Sequence, residues 1–444
     1  MRHFHALAAA FAIGCGTSTA SDAGLDATTD TGPATDSVVP MESAVPMDVV
    51  PGPDVTPIVG CPSPTDPVAE PYRWFPRLDL ARIPFHVAAG PWGARMPITA
   101  PAPPVVTRRI TVATGADLAR EALVPGSEIT VTASIATQVV LFGNVTDLDL
   151  VVPPGVTLQS VIVGRAVPGS VNRRVRIRGS TPGMHSGGVI GTITFFSDAA
   201  DLIIDGVDLN GADGAMNGLA WYLATTNGAR VAIVNVRAHA SASISLNGDV
   251  TDLVVAGSNL VSGARSRADN GIPEGWGLRA GRRIVVFGNR IEGNRYHRVR
   301  VHPGADPTEY AWLADNIFVD PHEARIASAF ALPSSTTPWD GFWAECNTIY
   351  AYSNPMTGCL GHSFEAPAAT YARLTNNTHF GTITVDAQRA RVAMSMGSHD
   401  YTTDNTYAPW RAPPAWGPPG DPRQIPLPRP ATVGLQDPMC PGPP

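Results

Sequence analysis

A short basic run near residue 300 carries the side chains whose types and spacing could do chemistry. In residues 298–302 (Arg-Val-Arg-Val-His) apolar and basic residues alternate, so in a strand both arginines and the histidine share one face. Arg forks a carboxylate through paired N–H donors, and His or Tyr can move a proton. Cleavage of a uronate by β-elimination needs a cation for the substrate carboxylate and a base for its α-proton. Arg298, Arg300, His302 and the nearby Tyr296 are therefore candidate catalytic residues.

Five further residues in neighbouring segments could hold the same substrate. If those segments stack as strands, the spacing predicts Arg300 and Arg325 in one row and Arg279 and His302 in the next. The competing interpretation is that these arginines pair with glutamates on a solvated face. The candidate substrate-binding residues are Arg279, Arg325, Glu323, Glu365 and Trp276. Four other aromatic residues could stack on sugar rings or pack in a core: Tyr310, Trp312, Trp339 and Trp343.

The elements that would position these residues belong to a repeat. An apolar strand, a turn with Asn or Gly and another apolar residue recur with turns at positions 179, 206, 235, 258, 289, 316, 347, 377 and 405. A period of roughly 20–50 residues is typical of a solenoid or a propeller, and propeller blades need the longer repeats. No strict leucine ladder occurs, and the β-branched runs bounded by Gly and Asn exclude helical repeats. The pattern predicts stacked β-coils with apolar columns inside.

Residues 108–407 resemble the pectate-lyase-like superfamily of right-handed parallel β-helices. The resemblance rests on the repeated turns and on the opening, a strand at 109–114 followed by an amphipathic capping helix at 115–123. It implies an all-β solenoid of about nine to ten coils. It also implies that the strand after each Asn turn, with the loop that follows, lines a substrate groove, which places the 298–302 run there. The fold hosts lyases, hydrolases, epimerases and non-catalytic surface proteins, so it does not decide the function.

Several chemistries lack their residues. The chain has no lysine, which excludes Schiff-base and lysine-base mechanisms, and the paired carboxylates and Gly-His-Gly element of the polygalacturonase branch do not occur. No phosphate loop, nucleotide fingerprint, zinc motif or Gly-x-Ser-x-Gly elbow is present. No cofactor or metal site is predicted. No carboxylate run has the spacing of a calcium site, so binding of Ca²⁺ stays open.

The N-terminus predicts export. Residues 1–15 combine a weakly basic start with a short apolar run, too short to span a bilayer at about 20 residues. The run ends in Ala12-Ile13-Gly14-Cys15, which resembles a bacterial lipobox whose cysteine, Cys15, is acylated. Ala12 departs from the usual leucine, and the alternative is cleavage after Ala20 to give a secreted protein. An outer-membrane or cell-surface lipoprotein is the preferred prediction.

Residues 16–60 have the composition of a disordered tether. They contain Asp, Thr, Ser, Pro and Ala with seven acidic residues and neither a basic nor an aromatic residue. The tether thus accounts for the net charge of −7, and the remaining body is almost neutral. A body without a basic patch excludes a nucleic-acid partner. An irregular lead-in at 61–107 joins the tether to the solenoid, and a Pro-rich, irregular segment, 408–444, follows it.

Four cysteines remain once Cys15 is assigned to lipid, and an even number in an exported protein favours disulfides. Cys346 with Cys359 would close a local loop, and Cys61 with Cys440 would join the ends of the body. Free buried thiols are the alternative.

Two hypotheses for the function follow. The first is a monomeric cell-surface protein that acts on an acidic, uronate-containing polysaccharide, as a lyase rather than a glycoside hydrolase, and meets the membrane only through its lipid. The second is a non-catalytic glycan-binding or surface-structural protein on the same fold.

Overall fold

The chain forms an all-parallel β-solenoid. The computed structural model describes residues 99–165, 171–196, 198–210, 221–240, 244–262, 276–279, 283–293, 297–302, 308–319, 326–331, 339–351, 360–365, 371–381, 399–403 and 405–408. Within these ranges 28 strands and one helix occur, and each paired strand runs parallel to its neighbours. The predicted all-β parallel β-helix is therefore confirmed.

The strands fall into three ladders that follow the sides of the solenoid. The first ladder consists of β1 (Arg108–Val112), β2 (Ser127–Val131), β4 (Thr146–Val151), β6 (Val171–Arg178), β9 (Asp198–Asp205), β11 (Trp221–Val234), β13 (Ile244–Ala256), β16 (Arg283–Phe287), β19 (Thr308–Ala314), β22 (Trp339–Glu345), β25 (Tyr371–Thr375) and β27 (His399–Thr403). The second consists of β5 (Thr157–Arg165), β7 (Val189–Ile190), β10 (Asp208–Asn210), β12 (Arg237–Ala240), β14 (Asn259–Ser262), β17 (Arg290–Gly293), β20 (Ile317–Val319), β23 (Thr348–Ala351), β26 (Thr378–Gly381) and β28 (Thr406–Ala408). The third runs through β3 (Ile135–Phe142), β5, β8 (Ile193–Phe196), β11, β13, β15 (Trp276–Arg279), β18 (His297–His302), β21 (Ile326–Ala331) and β24 (Leu360–Glu365).

Stacked apolar columns form the core. In the first ladder Val231 pairs with Leu253, Leu253 with Ile284, and Ile284 with Ala311, and each of the four is at most 1% exposed. Complete burial of a Val, Leu or Ile side chain stabilises the fold by about 1.5–3 kcal/mol. Because each coil repeats the column, the core extends along the solenoid as one continuous stack.

The turn between the first and second ladders has a left-handed residue in successive coils. Gly206, Asn235, Gly257, Gly288 and Asp315 have φ values of 66, 54, 59, 63 and 56°. Glycine has no Cβ to clash there, and Asn and Asp tolerate this backbone better than other residues do. The left-handed backbone at this position therefore explains why Gly, Asn and Asp recur in the turns of the sequence.

The next residue of the turn forms a ladder of asparagines, which are buried in every coil but the last. Asn289, Asn316, Asn347, Asn377 and Asn405 occupy equivalent places in five coils. The Nδ2 of Asn316 donates to the Oδ1 of Asn347 at 2.9 Å and to the carbonyl of Val286 at 2.8 Å. Its Oδ1 accepts from the backbone N and the Nδ2 of Asn289 at 3.1 and 3.0 Å. Both donors and both lone pairs of the amide are thus satisfied.

Two details differ from the predicted repeat. The predicted turn positions belong to two different columns of stacked residues. Positions 206 and 235 are in the column with left-handed backbone, whereas positions 258 to 405 are in the column of the residue that follows it, which is the column of the asparagine ladder. Val207 and Val236 are the stacked equivalents of the asparagines. The nine predicted turns each follow a first-ladder strand, but three more strands of that ladder precede them: Arg108–Val112, Ser127–Val131 and Thr146–Val151. In those early coils neither Asn nor Gly stands in the two residues after the strand, which is the signal that revealed the other turns.

The capping helix is confirmed. Helix α1 (Gly115–Glu121) begins at the N-cap Thr114, whose Oγ1 accepts from the backbone N of Asp117 at 3.1 Å. It buries Leu118 completely and ends two residues before the predicted 123. The helix thereby covers apolar core at the first coil.

Candidate functional site

The third ladder brings part of the predicted site together. Strand β18 carries the basic run, and the register places Arg279 of β15 directly opposite His302. Arg300 lies between Gly277 on one side and Ala331 on the other. Neighbouring strands are about 4.8 Å apart, and residues two apart in a strand are about 6.6 Å apart. The backbone positions of Arg279, Arg300 and His302 are therefore neighbours in the third ladder, and we call this set of residues the basic cluster.

The register contradicts one of the sequence-based placements. Arg300 is opposite Ala331, six residues after Arg325, so the predicted row of Arg300 and Arg325 is wrong. Trp276 pairs with Ile244 in the neighbouring strand β13. Its substrate-binding role stays a prediction.

The remaining candidates divide into three groups. Arg298 lies on the same face of β18 as Arg300, since two residues separate them. Glu365 shares the column of Arg300 and Ala331, two strands from Arg300. Tyr296, Glu323 and Arg325 lie outside the described residues.

A histidine column on the other face escaped the sequence analysis. His297 pairs with Ser328, and Ser328 pairs with His362. Alternation assigns these positions to the same face as Val299. The sequence analysis took that face as apolar and therefore did not consider its histidines as site residues. The available signal was the exchange of an apolar residue for His or Ser at one place in three consecutive coils.

A second polar cluster, also missed, closes the loop between residues 179 and 188. His185 Nε2 lies 2.8 Å from Asp208 Oδ1, and Arg237 Nε donates to the same oxygen at 2.8 Å. Burial alone would raise the pKa of Asp208, but the hydrogen bonds from His185 and Arg237 outweigh it and hold that pKa below its ordinary value. The side chains of His185 and Asp208 are only 7% and 9% exposed. This cluster pins the loop to the second ladder and offers little access to a substrate.

Asp205, a second buried carboxylate, also binds the loop between residues 179 and 188. Its Oδ2 accepts from the backbone N of Gly183 at 2.7 Å, and its Oδ1 accepts from Asn235 Nδ2 at 3.2 Å. Burial raises the pKa of Asp205 to about 6, against the lowering effect of these hydrogen bonds and of Arg176 and Arg178. The sequence offered no signal for these two contacts of Asp205, because Gly183 and Asn235 are distant from it along the chain.

An alternating charge ladder runs along the edge of the first ladder. Asp147, Arg174, Asp201, Arg230 and Asp252 stack in consecutive coils, and all five have positive φ. Arg174 Nη2 donates to Asp147 Oδ2 at 2.6 Å, and Arg230 Nη2 donates to Asp201 Oδ2 at 2.9 Å. The hydrogen bond from Arg174 holds the pKa of Asp147 below its ordinary value. Arg283 completes the charge ladder by donating to Asp252, so that three carboxylates and three guanidinium groups pair in a structural array.

Trp312 is also structural. It is 3% exposed, its Nε1 donates to Glu345 Oε1 at 3.2 Å, and its ring lies 6.1 Å from that of Phe287. A ring buried in this way offers no face to a sugar, so Trp312 acts as a packing residue and not as a platform for a sugar ring.

The described residues also bear on the metal, membrane and cysteine predictions. Among the described residues, no group of three or more His, Cys, Asp and Glu could hold a metal ion. In the same part of the chain, no helix is long and apolar enough to cross a membrane. Cys346 occupies the left-handed turn position with φ 57°, whereas Cys15, Cys61, Cys359 and Cys440 lie outside the described residues. Both disulfides therefore stay predictions.

The comparisons with known proteins give no relative. The chain matches no protein-family model, no curated protein and no solved structure. Its function has to be argued from its own residues.

Proposed function

We propose that this protein is an exported β-helix protein of the pectate-lyase-like kind that binds an acidic polysaccharide and cleaves it by β-elimination. The observation that carries the proposal is the placement of Arg279 opposite His302, with Arg300 two residues from His302 on the same face. A cation and a titratable base thus lie one strand spacing apart.

The spacing suits the two adjacent groups of a uronate. The carboxylate and the α-hydrogen belong to neighbouring atoms of the sugar, and two residues about 5–7 Å apart at the backbone can reach both. Arg300 is flanked by Gly277 and Ala331, which carry no side chain and one methyl group. Short neighbours on both sides favour access of a sugar ring to the arginine.

The reaction balances without water or an oxidant. His302 takes the α-proton, the electron pair forms the new carbon–carbon double bond, and the β carbon–oxygen bond breaks. The departing oxygen takes the proton back from protonated His302 and becomes the hydroxyl of the released chain, which restores the base. Arg279 and Arg300 neutralise the charge that grows on the carboxylate in the transition state. Arg298 on the same face adds attraction for the polyanion.

A second candidate is binding without cleavage. Glu365 lies in the column of Arg300, and a carboxylate there competes with the substrate for the arginine. A face that retains an acidic glycan but does not orient its α-proton would act as a binding surface only.

The test compares two substitutions in the basic cluster on pectate, alginate and glycosaminoglycans, each with and without Ca²⁺. We expect the unchanged protein to release unsaturated uronate, seen by near-ultraviolet absorbance. His302→Asn should slow the release by roughly 10²–10⁴-fold with little change in binding, because it removes the base. Arg300→Ala should weaken both binding and cleavage.

Arg109→Ala is the matched control, since Arg109 has a 76% exposed side chain at the first coil, far along the chain from the cluster. No unsaturated product from any glycan, with binding that still depends on Arg300, would select the second candidate. Absence of binding to every glycan would refute both.

We also propose attachment to the membrane through a lipid on Cys15. Cys15→Ser should move the protein from the membrane fraction to the soluble fraction and abolish incorporation of labelled fatty acid. Ala20→Glu, which alters only the alternative cleavage site, should leave fractionation unchanged. If Cys15→Ser stays in the membrane fraction, the anchor is wrong.

A further inference from the structure

The outward face of the first ladder is apolar in the middle coils, which a solvated face would not be. Ile203 pairs with Ala232, Ala232 with Val254, Val254 with Val285, and Val285 with Trp312. These residues alternate with the core residues of the same strands, so they face away from the core. We call this column the outer apolar strip.

The outer apolar strip is buried. The exposed fractions of Ile203, Ala232, Val254, Val285 and Trp312 are 2, 0, 1, 0 and 3%. An outward column of a solenoid ladder reaches such values only where another segment lies over it. The strip therefore has an occupant.

The lead-in shows which segment approaches this side. The backbone N of Val105 donates to Asp147 Oδ1 at 2.9 Å, and that of Ala102 donates to Asp201 Oδ1 at 3.0 Å. Asp201 is two coils beyond Asp147, about 10 Å along the axis, and three residues of extended polyproline-type chain span about 9 Å. From Val105 to Ala102, that is, towards the N-terminus, the lead-in thus runs along the solenoid towards its later coils.

Burial along the lead-in agrees with this path. Pro101 and Pro104 are buried, whereas Ala102, Pro103 and Val105 are exposed. A buried residue at every third position is the period of a polyproline helix that lies on a surface. Ala102 is bonded to Asp201, in the strand of Ile203, so this path brings the chain to the start of the outer apolar strip.

We infer that residues 70–98, the part of the lead-in that precedes Ala102, continue along the first ladder and cover the outer apolar strip. Beyond Ile203 the strip extends four coils, about 19 Å, which roughly six extended residues span. Residues 83–98 supply apolar side chains for it, among them Phe85, Trp92, Met96 and Ile98.

Trypsin mapping of the full chain tests this inference. Residues 16–60 contain no basic residue, so cleavage at Arg82 and Arg95 reports on the proposed segment. Val254→Asp places a charge in the strip, outside the core, and should raise the cleavage rate at both sites by about tenfold or more. Phe142→Asp, at a side chain that is 57% exposed, is the control and should leave both rates unchanged.

Each other outcome overturns the inference. If Val254→Asp exposes Arg411 and Arg423 instead, the C-terminal segment covers the strip. If the rates at Arg82 and Arg95 depend on protein concentration, a second copy of the chain does. If all rates stay constant, residues 70–98 are not docked there. Val254→Thr, which preserves shape, provides the same comparison should the aspartate variant fail to fold.

Discussion

Asn316→Val is expected to lower the free energy of unfolding by about 4 kcal/mol, because four side-chain hydrogen bonds of about 1 kcal/mol each are lost in the interior. The substitution would leave the Nδ2 of Asn289 and the carbonyl of Val286 without this buried partner. Valine fits the position, since Val207 and Val236 stand at the equivalent place in earlier coils. The loss therefore measures the hydrogen bonds and not the shape.

Urea titration followed by circular dichroism gives this loss as a shift of the unfolding midpoint. Asn405→Val is the matched control at the end of the ladder. It removes the bond to the carbonyl of Leu374 and two bonds from Asn377, but Asn405 is half-buried and water can replace them. We expect a clearly smaller shift there. Equal shifts for the two variants would contradict a cooperative buried ladder.

Arg283→Met should destabilise the protein by about 3–5 kcal/mol, because it leaves the carboxylate of Asp252 buried without its cation. Arg283 is 8% and Asp252 4% exposed, and Arg283 donates to both carboxylate oxygens, Nη2 to Oδ2 at 3.0 Å. Arg109→Met is the control, since Arg109 pairs with Glu128 at the surface and such pairs contribute about 0–1 kcal/mol.

The double variant Asp252→Asn/Arg283→Met separates charge from packing. Asparagine tolerates the φ of 60° at residue 252 and removes the uncompensated charge. We expect it to recover most of the stability that Arg283→Met loses, as measured by the same titration. If the double variant is as unstable as the single one, the loss comes from the volume of Arg283 and not from its charge.

Partners in the charge ladder could not be predicted from the sequence. Arg174 bonds Asp147, 27 residues earlier, and Arg283 bonds Asp252, 31 residues earlier. Such residues become neighbours only when the coils stack, and the exact length of each coil decides which residues meet. The same holds for the cluster of His185, Asp208 and Arg237.

The register decided the candidate site in the same way. Alternation in residues 298–302 correctly assigned Arg298, Arg300 and His302 to one face. It did not determine that Ala331, and not Arg325, stands opposite Arg300, because the loops between strands vary in length. A shift of one residue in any loop moves every side chain of the next strand to the other face.

The outward faces show the other limit of the sequence pattern. Alternation separates the two faces of a strand, but an apolar outward face, such as that of Val254 and Val285, needs a covering segment that only tertiary structure supplies. The sequence by itself determined the parallel solenoid, its capping helix and most of its turns. Stacking makes each coil repeat its turn residues and core columns, and this repetition is visible along the chain. The tertiary structure decided which residues face each other across coils, since these contacts depend on the summed lengths of the intervening segments.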